Sequence, residues 1–224
     1  MKQNALAVTL NPFQFLLPKH EKYTTKRNQF LYKNKLQNAT RSKHSFISHG
    51  YAGKMLSSFP SSAPLIDNVG KAIAHAREKN IPVIYVRICF RPGAPEISPN
   101  NKPFSAYTAN YELTEDFMNQ WKEIHPSLAP EKDEIIVDKR RISAFSGSDL
   151  AVVLRAKNIR TLILTGIATS GVVLSTLREA SDKDFCIIVL KDGCADRDAD
   201  THHFLMEKIF PRQAEVISVE EWIK

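Results

Sequence analysis

The sequence predicts a three-layer α/β/α domain around a six-stranded parallel sheet. Two observations support this fold class. Short apolar runs rich in β-branched residues recur along the chain, and amphipathic stretches at helical spacing separate them. Continuous apolar strands are typical of a parallel sheet that helices cover on both faces. The composition is also that of a globular chain, since 43% of the 224 residues are hydrophobic and 25% are charged.

Strands and helices are predicted to alternate from Pro64 onward, after a separate strand near the start of the chain. The first strand is predicted at residues 5–10 (ALAVTL), and a helix bearing Leu65, Val69 and Ile73 on one side ends at Asn80. The later strands are predicted at residues 81–88, 134–138, 161–165, 185–190 and 215–218. The later helices are predicted after Thr114, after a cap at Ser148, over residues 171–181 and over residues 201–209.

Positive charge is concentrated in the first third of the chain. The net charge is +7, and residues 1–66 carry ten Lys or Arg against one acid, Glu21. Residues 19–54 are basic, polar and without hydrophobic periodicity, so we interpret them as a loop or disordered insertion in a single domain spanning residues 1–224. The alternative is an arm that binds a polyanion. No helix, zinc or aromatic recognition pattern accompanies the charge, so nucleic-acid binding is not expected.

The cysteine count and the hydropathy favour a cytoplasmic protein. Cys89, Cys186 and Cys194 are an odd number without metal-ligand spacing, which is typical of a reducing compartment. No apolar run approaches the ~20 residues of a membrane helix, and the first residues lack the apolar core of a secretory signal. We therefore expect no membrane segment, no metal and no cofactor.

The search for a site starts at the carboxyl ends of the strands, where doubly wound sheets bind their ligands. Residues 166–171 (GIATSG) join a predicted strand directly to a helix. Their backbone N–H groups can hold an anion or an oxyanion at the start of the helix. A tight turn that needs glycine for its geometry alone explains the same residues equally well.

Residues 165–176 (TGIATSGVVLST) resemble the signature T-G-x-x-T-x-x-C-V-x-x-T of the isochorismatase-like, or cysteine hydrolase, superfamily. The likeness covers residues 64–224 together with residues 5–10. It includes the segments 81–87 (IPVIYVR), 137–145 (VDKRRISAF), 147–150 (GSDL), 192–196 (DGCAD), His202 and 210–211 (FP). The resemblance implies the strand order 3-2-1-4-5-6, a small-molecule substrate, and homo-oligomers that are dimers or tetramers.

In that family a Cys thiolate attacks a carbonyl, an Asp at the end of the first strand moves its proton, and a Lys supports both. By resemblance Val172 stands at the nucleophile position and Leu10, or Asn11 in a shifted register, at the acid/base position. Lys139 alone matches its counterpart, and burial without the Asp should lower its pKa. Loss of nucleophile and base removes nearly all rate enhancement, apart from a residual ~10³-fold from binding and an oxyanion hole.

The functional prediction follows from these substitutions. We expect a protein that binds or hydrolyses a small amide, carbonyl or vinyl-ether compound near Lys139 and Val172, by impaired or altered chemistry. The alternative is a non-catalytic oligomeric scaffold or regulator whose basic arm contacts an acidic partner.

Five further residues are candidate ligand contacts: Ile167, Ala168, Thr169, Ser170 and Arg87. The resemblance places at Ile167-Ala168 the cis peptide bond that shapes the family's oxyanion hole. The hydroxyls of Thr169 and Ser170 could bind a ligand or position water, and helix capping is the alternative.

The rim beside Arg87 offers the other candidates. Arg87 or Arg91 could pair with a substrate carboxylate or form a surface salt bridge. A cation at residue 87 also argues against a metal site, because metal-binding relatives have an Asp-x-His pattern there. Cys89 is a candidate relocated nucleophile, for which a small buried apolar role is the favoured interpretation. His202 lacks the further ligands that zinc requires.

Overall fold

The described residues build a parallel sheet of six strands. A computed structural model describes the backbone of Lys43–His49 and residues 62–224, which belong to one compact unit, Thr40–Lys224. The strands are β1 (Lys43–His49), β2 (Val83–Ile88), β3 (Ile135–Lys139), β4 (Ile159–Ile167), β5 (Cys186–Ala195) and β6 (Glu215–Ile217). Their spatial order is β3-β2-β1-β4-β5-β6, as the resemblance implies.

Helices connect the strands. The α-helices are α1 (Ser62–Glu78), α2 (Lys102–Asn110), α3 (Glu115–Trp121), α4 (Leu150–Ala156), α5 (Leu174–Asp182), α6 (Ala199–Phe204) and α7 (Val219–Ile223). A π-helical turn, Thr169–Val173, leads into α5, and a second one, Leu205–Ile209, continues α6. Short 3₁₀ segments are Pro126–Leu128 and Phe210–Arg212.

The sheet separates two apolar clusters, which makes the domain three-layered. On one face α1 and α7 pack on the sheet through Val69, Ile73 and Val219, among others. On the other face α4, α5 and the residues that follow α6 bury Leu154, Leu177 and neighbouring side chains. A third cluster packs α2 and α3 over the carboxyl end of β2. Burial on both faces explains why the strands are continuously apolar, as the sequence predicts.

The first strand differs from the sequence prediction. Lys43–His49 lies between β2 and β4, with His49 paired to Val86 and to Gly166. The interpretation of residues 19–54 as loop or disorder is therefore wrong for this strand. Residues 5–10, predicted as the first strand, lie outside the described residues, as does Leu10. The extent of the single domain over residues 1–224 stays a prediction for the same reason.

The helix α2 and the extended end of β5 are further differences. The sequence analysis predicted no helix at Lys102–Asn110, although Asn101 caps it by accepting a bond from the N–H of Phe104. Strand β5 runs to Ala195, five residues beyond its predicted end at Leu190, after an irregularity in its pairing with β4. At this irregularity Gly193 lies so close to β4 that an added Cβ would be 2.9 Å from Thr165 Cγ2.

We expect Gly193→Ala to lower the free energy of unfolding by about 1–3 kcal/mol, because the fully buried Thr165 has no room to move away. Gly70→Ala is the matched control. Gly70 lies inside α1, where a new Cβ would be 3.8 Å from Leu128 Cδ2, an ordinary contact. Alanine at residue 70 should raise the free energy of unfolding by up to about 1 kcal/mol. Urea denaturation of both variants measures the difference, and equal effects would contradict the close approach at Gly193.

Candidate functional site

Lys139 ends β3 with its ammonium group inside the protein. The residue is 6% exposed, and Nζ donates hydrogen bonds to the carbonyl oxygens of Arg141 at 2.6 Å and Ile142 at 3.0 Å. No described carboxylate forms an ion pair with it. Burial lowers the pKa of Lys139 to about 8. The expectation of a buried lysine with a lowered pKa therefore agrees with the structure.

The turn after Lys139 is fixed by contacts to α5 and within the turn. The N–H of Ala144 donates to Thr176 Oγ1 at 2.9 Å, and Thr176 is fully buried in α5. Ser148 Oγ donates to the Ala144 carbonyl at 2.6 Å and accepts from the N–H of Leu150. Gly147 has a φ of +69° and lies against Arg140, so a side chain at residue 147 would be strained. The carbonyls that hold Lys139 thus belong to a well-anchored turn.

The segment between β4 and α5 forms the other wall of the candidate site. Gly166 has a φ of +144°, and the peptide bond between Ile167 and Ala168 is cis, at the position that the resemblance implies. The carbonyl of Ala168 accepts from the N–H groups of Gly171 and Val173. Asp196, after β5, accepts a 2.6 Å bond from the N–H of Ser170. The segment is therefore shaped by backbone geometry and by a carboxylate from the next strand.

Thr169 lies inside this wall and contacts a histidine that follows β5. It is fully buried, and its Oγ1 is 2.8 Å from His202 Nδ1. The residue that caps the helical turn is Ala168, which makes no side-chain capping bond. Burial lowers the pKa of His202, and the Asp196 carboxylate acts in the opposite direction. The sequence analysis named Thr169 and His202 separately and missed their contact.

Val172 places an apolar side chain at the start of α5. It is 8% exposed and belongs to the apolar cluster between the sheet and α5. No reactive atom stands at this position, which the resemblance identifies as that of the nucleophile.

The described cysteines near the strand ends are poor nucleophiles. Cys89 packs in the cluster under α2, and burial, followed by the nearby Asp138 carboxylate, raises the pKa of its thiol. Burial raises the pKa of Cys194 to about 12. Cys186 is exposed, but it lies at the amino end of β5, away from the carboxyl edge. Thiols protonated at neutral pH support the apolar interpretation of Cys89.

Arg87 forms an ion pair across the strands. Its Nε is 2.6 Å from Asp138 Oδ1, on the residue paired with it in β3, and Nη1 donates to the Lys122 carbonyl at 3.4 Å. The salt-bridge alternative is therefore the one that the structure contains, and a contact of Arg87 with substrate stays a prediction.

The described residues lack the features of two other classes of site. No group of three or more His, Cys, Asp or Glu side chains in this part of the chain could hold a metal ion. Among the described helices none is long and apolar enough to cross a membrane.

Comparison with known proteins identifies the family. Residues 45–221 match the isochorismatase domain. The chain belongs to the isochorismatase domain family. An uncharacterised isochorismatase family protein of Escherichia coli O157:H7, YecD, is 34% identical over 158 residues, which are 70% of this chain and 80% of that protein.

Two further relatives indicate the range of the family. The ureidoacrylate amidohydrolase RutB of Pseudomonas syringae pv. syringae is 33% identical over 170 residues, covering 71% of this chain and 66% of its own. The fold is shared with the crystal structure of a cysteine hydrolase from Pseudomonas syringae pv. phaseolicola, with a TM-score of 0.70 at 24% identity over 81% of this chain and 91% of that one.

The family match begins inside β1, at residue 45. The first strand of the family domain is therefore Lys43–His49. The assignment of the acid/base position to Leu10 depended on residues 5–10 being this strand, and it stays a prediction. Residues 43–61 contain no Asp or Glu.

The lowered pKa of Lys139 predicts a rise in stability at high pH. Since the folded pKa of about 8 lies below the ordinary 10.5, the unfolded chain retains a proton that the folded chain has lost between these values. The free energy of unfolding should therefore rise from pH 8 to 10.5, by at most about 3 kcal/mol. Urea denaturation of the native protein and Lys139→Met across this window isolates the effect, because other titrating groups are common to both. Parallel curves would contradict it.

Thr169→Val should lower the free energy of unfolding by about 1–2 kcal/mol, because it removes the hydroxyl from a buried hydrogen bond while keeping the shape of the side chain. Ser170→Ala is the control, since its exposed hydroxyl makes no hydrogen bond within the described residues. The free energy of unfolding of Ser170→Ala should stay within about 0.5 kcal/mol of that of the native protein. Thermal denaturation monitored by circular dichroism compares them, and an unchanged Thr169→Val variant would show that the contact with His202 contributes nothing.

Proposed function

We propose that this protein binds a small amide or related carbonyl compound at the carboxyl ends of β3 and β4, and that any turnover proceeds without a thiolate. The observation that carries the proposal is the buried apolar Val172 at the signature position of the nucleophile. The amide class is supported by the relative named as a ureidoacrylate amidohydrolase. A vinyl ether is the other class of compound that the proposal includes, and the test below covers it.

The loss of thiolate chemistry is supported by what surrounds Val172. The thiols of Cys89 and Cys194 are buried with raised pKa values, so neither supplies a nucleophile in place of the family's cysteine. The strand-end carboxylate that would accept the thiol proton is also missing from residues 43–61. A nucleophile without its base is weak, and here both groups are replaced.

Lys139 is the group that retains chemical capability. With a pKa of about 8 it populates both protonation states near neutral pH. As an ammonium it can donate a hydrogen bond to a developing oxyanion, and as a free amine it can accept a proton from water. The carbonyls of Arg141 and Ile142 fix its position, so the amine is already oriented before a ligand arrives.

The test measures binding and turnover together. Native protein is titrated calorimetrically with ureido acids, simple amides and a vinyl ether related to isochorismate, and the same compounds are assayed for hydrolysis beside a ureidoacrylate amidohydrolase. We expect binding of an amide, with turnover at least about 10³-fold slower than that of the relative and unchanged by iodoacetamide. Lys139→Met should lower the residual turnover by about tenfold or more.

Lys183→Met is the control for that substitution, because Lys183 is exposed and pairs with Glu179 one helical turn away. It should leave binding and turnover unchanged. Iodoacetamide-sensitive hydrolysis at the rate of the relative would overturn the proposed chemistry. Absence of binding to every compound would overturn the small-molecule site itself and favour the scaffold alternative.

A further inference from the structure

The carboxyl ends of β2 and β3 carry an excess of positive charge. Residues 87–101 and 138–148 contain five cations, Arg87, Arg91, Lys139, Arg140 and Arg141, and two carboxylates, Asp138 and Glu96. An uncompensated group of cations at the edge where such sheets bind ligands favours an anionic ligand.

Glu96 is the carboxylate around which three arginines meet. Its Oε1 lies 3.1 Å from Arg140 Nε and 3.5 Å from Arg91 Nη1, and its backbone carbonyl accepts from Arg141 Nη2 at 2.8 Å. The contact with Arg140 is too poorly aligned for a hydrogen bond, and the buried Arg140 Nη1 has no hydrogen-bond partner among the described residues. One carboxylate therefore faces two guanidinium groups, and the third, that of Arg141, is held by a neutral backbone carbonyl.

Arg91 is the cation least engaged by the protein. Arg87 pairs with Asp138 at 2.6 Å, and both terminal nitrogens of Arg141 donate hydrogen bonds to backbone carbonyls. Arg91 has a side chain that is 67% exposed and a contact with Glu96 of 3.5 Å, the limit of hydrogen bonding. Glu96 Oε1 is already occupied by the backbone N–H of Arg91 at 3.1 Å. The guanidinium of Arg91 is thus available to a ligand.

Arg91 also lies near Lys139. The N–H of Cys89, two residues earlier, donates to the Lys139 carbonyl at 3.1 Å, which extends the pairing of β2 with β3. Two residues span at most about 7 Å of chain. The side chains are linked as well, because the Arg141 carbonyl holds Lys139 Nζ, the Arg141 guanidinium bonds the Glu96 carbonyl, and Glu96 contacts Arg91.

We infer that the ligand carries a carboxylate beside its amide or carbonyl group, and that Arg91 determines this specificity by pairing with the carboxylate. The inference rests on the proposed function, which supplies the amide end of the ligand. A guanidinium group presents two parallel N–H donors to a carboxylate, a geometry that an ammonium lacks. Arg140, whose side chain is 25% exposed, adds positive charge to the same cluster.

Three probes of similar length separate the two ends of the site: succinamate has an amide and a carboxylate, succinamide has two amides, and succinate has two carboxylates. Calorimetry with native protein should show succinamate binding at least about tenfold more tightly than succinamide. The preference for succinamate over succinamide should fall below about threefold in Arg91→Gln and recover in part in Arg91→Lys. In the native protein the same preference should weaken as the salt concentration is raised.

Arg160→Gln is the matched control. Arg160 is exposed near the amino end of β4, so the variant loses the same charge at the opposite edge of the sheet. It should keep the native preference. Equal affinity for succinamate and succinamide, or an unchanged preference in Arg91→Gln, would overturn the inference.

The same probes separate a failure of the inference from a failure of the proposed function. Binding of succinamide and succinamate with equal affinity keeps the amide site and removes the role of Arg91. Tight binding of succinate together with no preference for succinamate over succinate keeps the anion site and removes the amide specificity. Absence of binding by all three probes overturns both.

Discussion

A buried ammonium group held by two carbonyls is the interaction on which the site is built. Burying a cation without a carboxylate is costly, so the hydrogen bonds from Lys139 to Arg141 and Ile142 must be kept. Those carbonyls stay in place because Ala144 is bonded to Thr176 in α5. Helix α5, which follows the π-helical turn that contains Val172, therefore also anchors the turn that holds the lysine.

The sequence predicts the parts of this arrangement that depend on local patterns. The apolar runs identify β2 to β6, and the turn at residues 165–176 identifies the region of the cis peptide bond through its resemblance to the family. The central strand β1 escaped prediction because Lys43, His44 and Ser48 interrupt its apolar character. Pairing with β2 and β4 on its two sides makes it a strand, and strand propensity is weak beside such context.

Contacts between distant residues account for what the sequence could not show. Thr169 and His202 are 33 residues apart, and Arg87 and Asp138 are 51 apart. Each pair meets because parallel strands bring their carboxyl ends to one edge, which the fold class predicts, whereas the partner of each side chain depends on register and rotamer. The same limit applies to Glu96, whose position in a loop gave no sign that three arginines would meet there.

The lack of Asp and Glu in residues 43–61 connects the charge of the site with the strand-end carboxylate that the family resemblance implies. In a cysteine hydrolase that carboxylate serves as the base and also neutralises the neighbouring lysine. Where residues 43–61 lack any acid, Lys139 has no anionic partner from this strand, and burial alone sets its lowered pKa. The same absence leaves the arginines at the ends of β2 and β3 in excess over Asp138 and Glu96. The lack of acid in residues 43–61 therefore makes this edge more attractive to an anion, and an anionic ligand would bring negative charge to Lys139 and its neighbours.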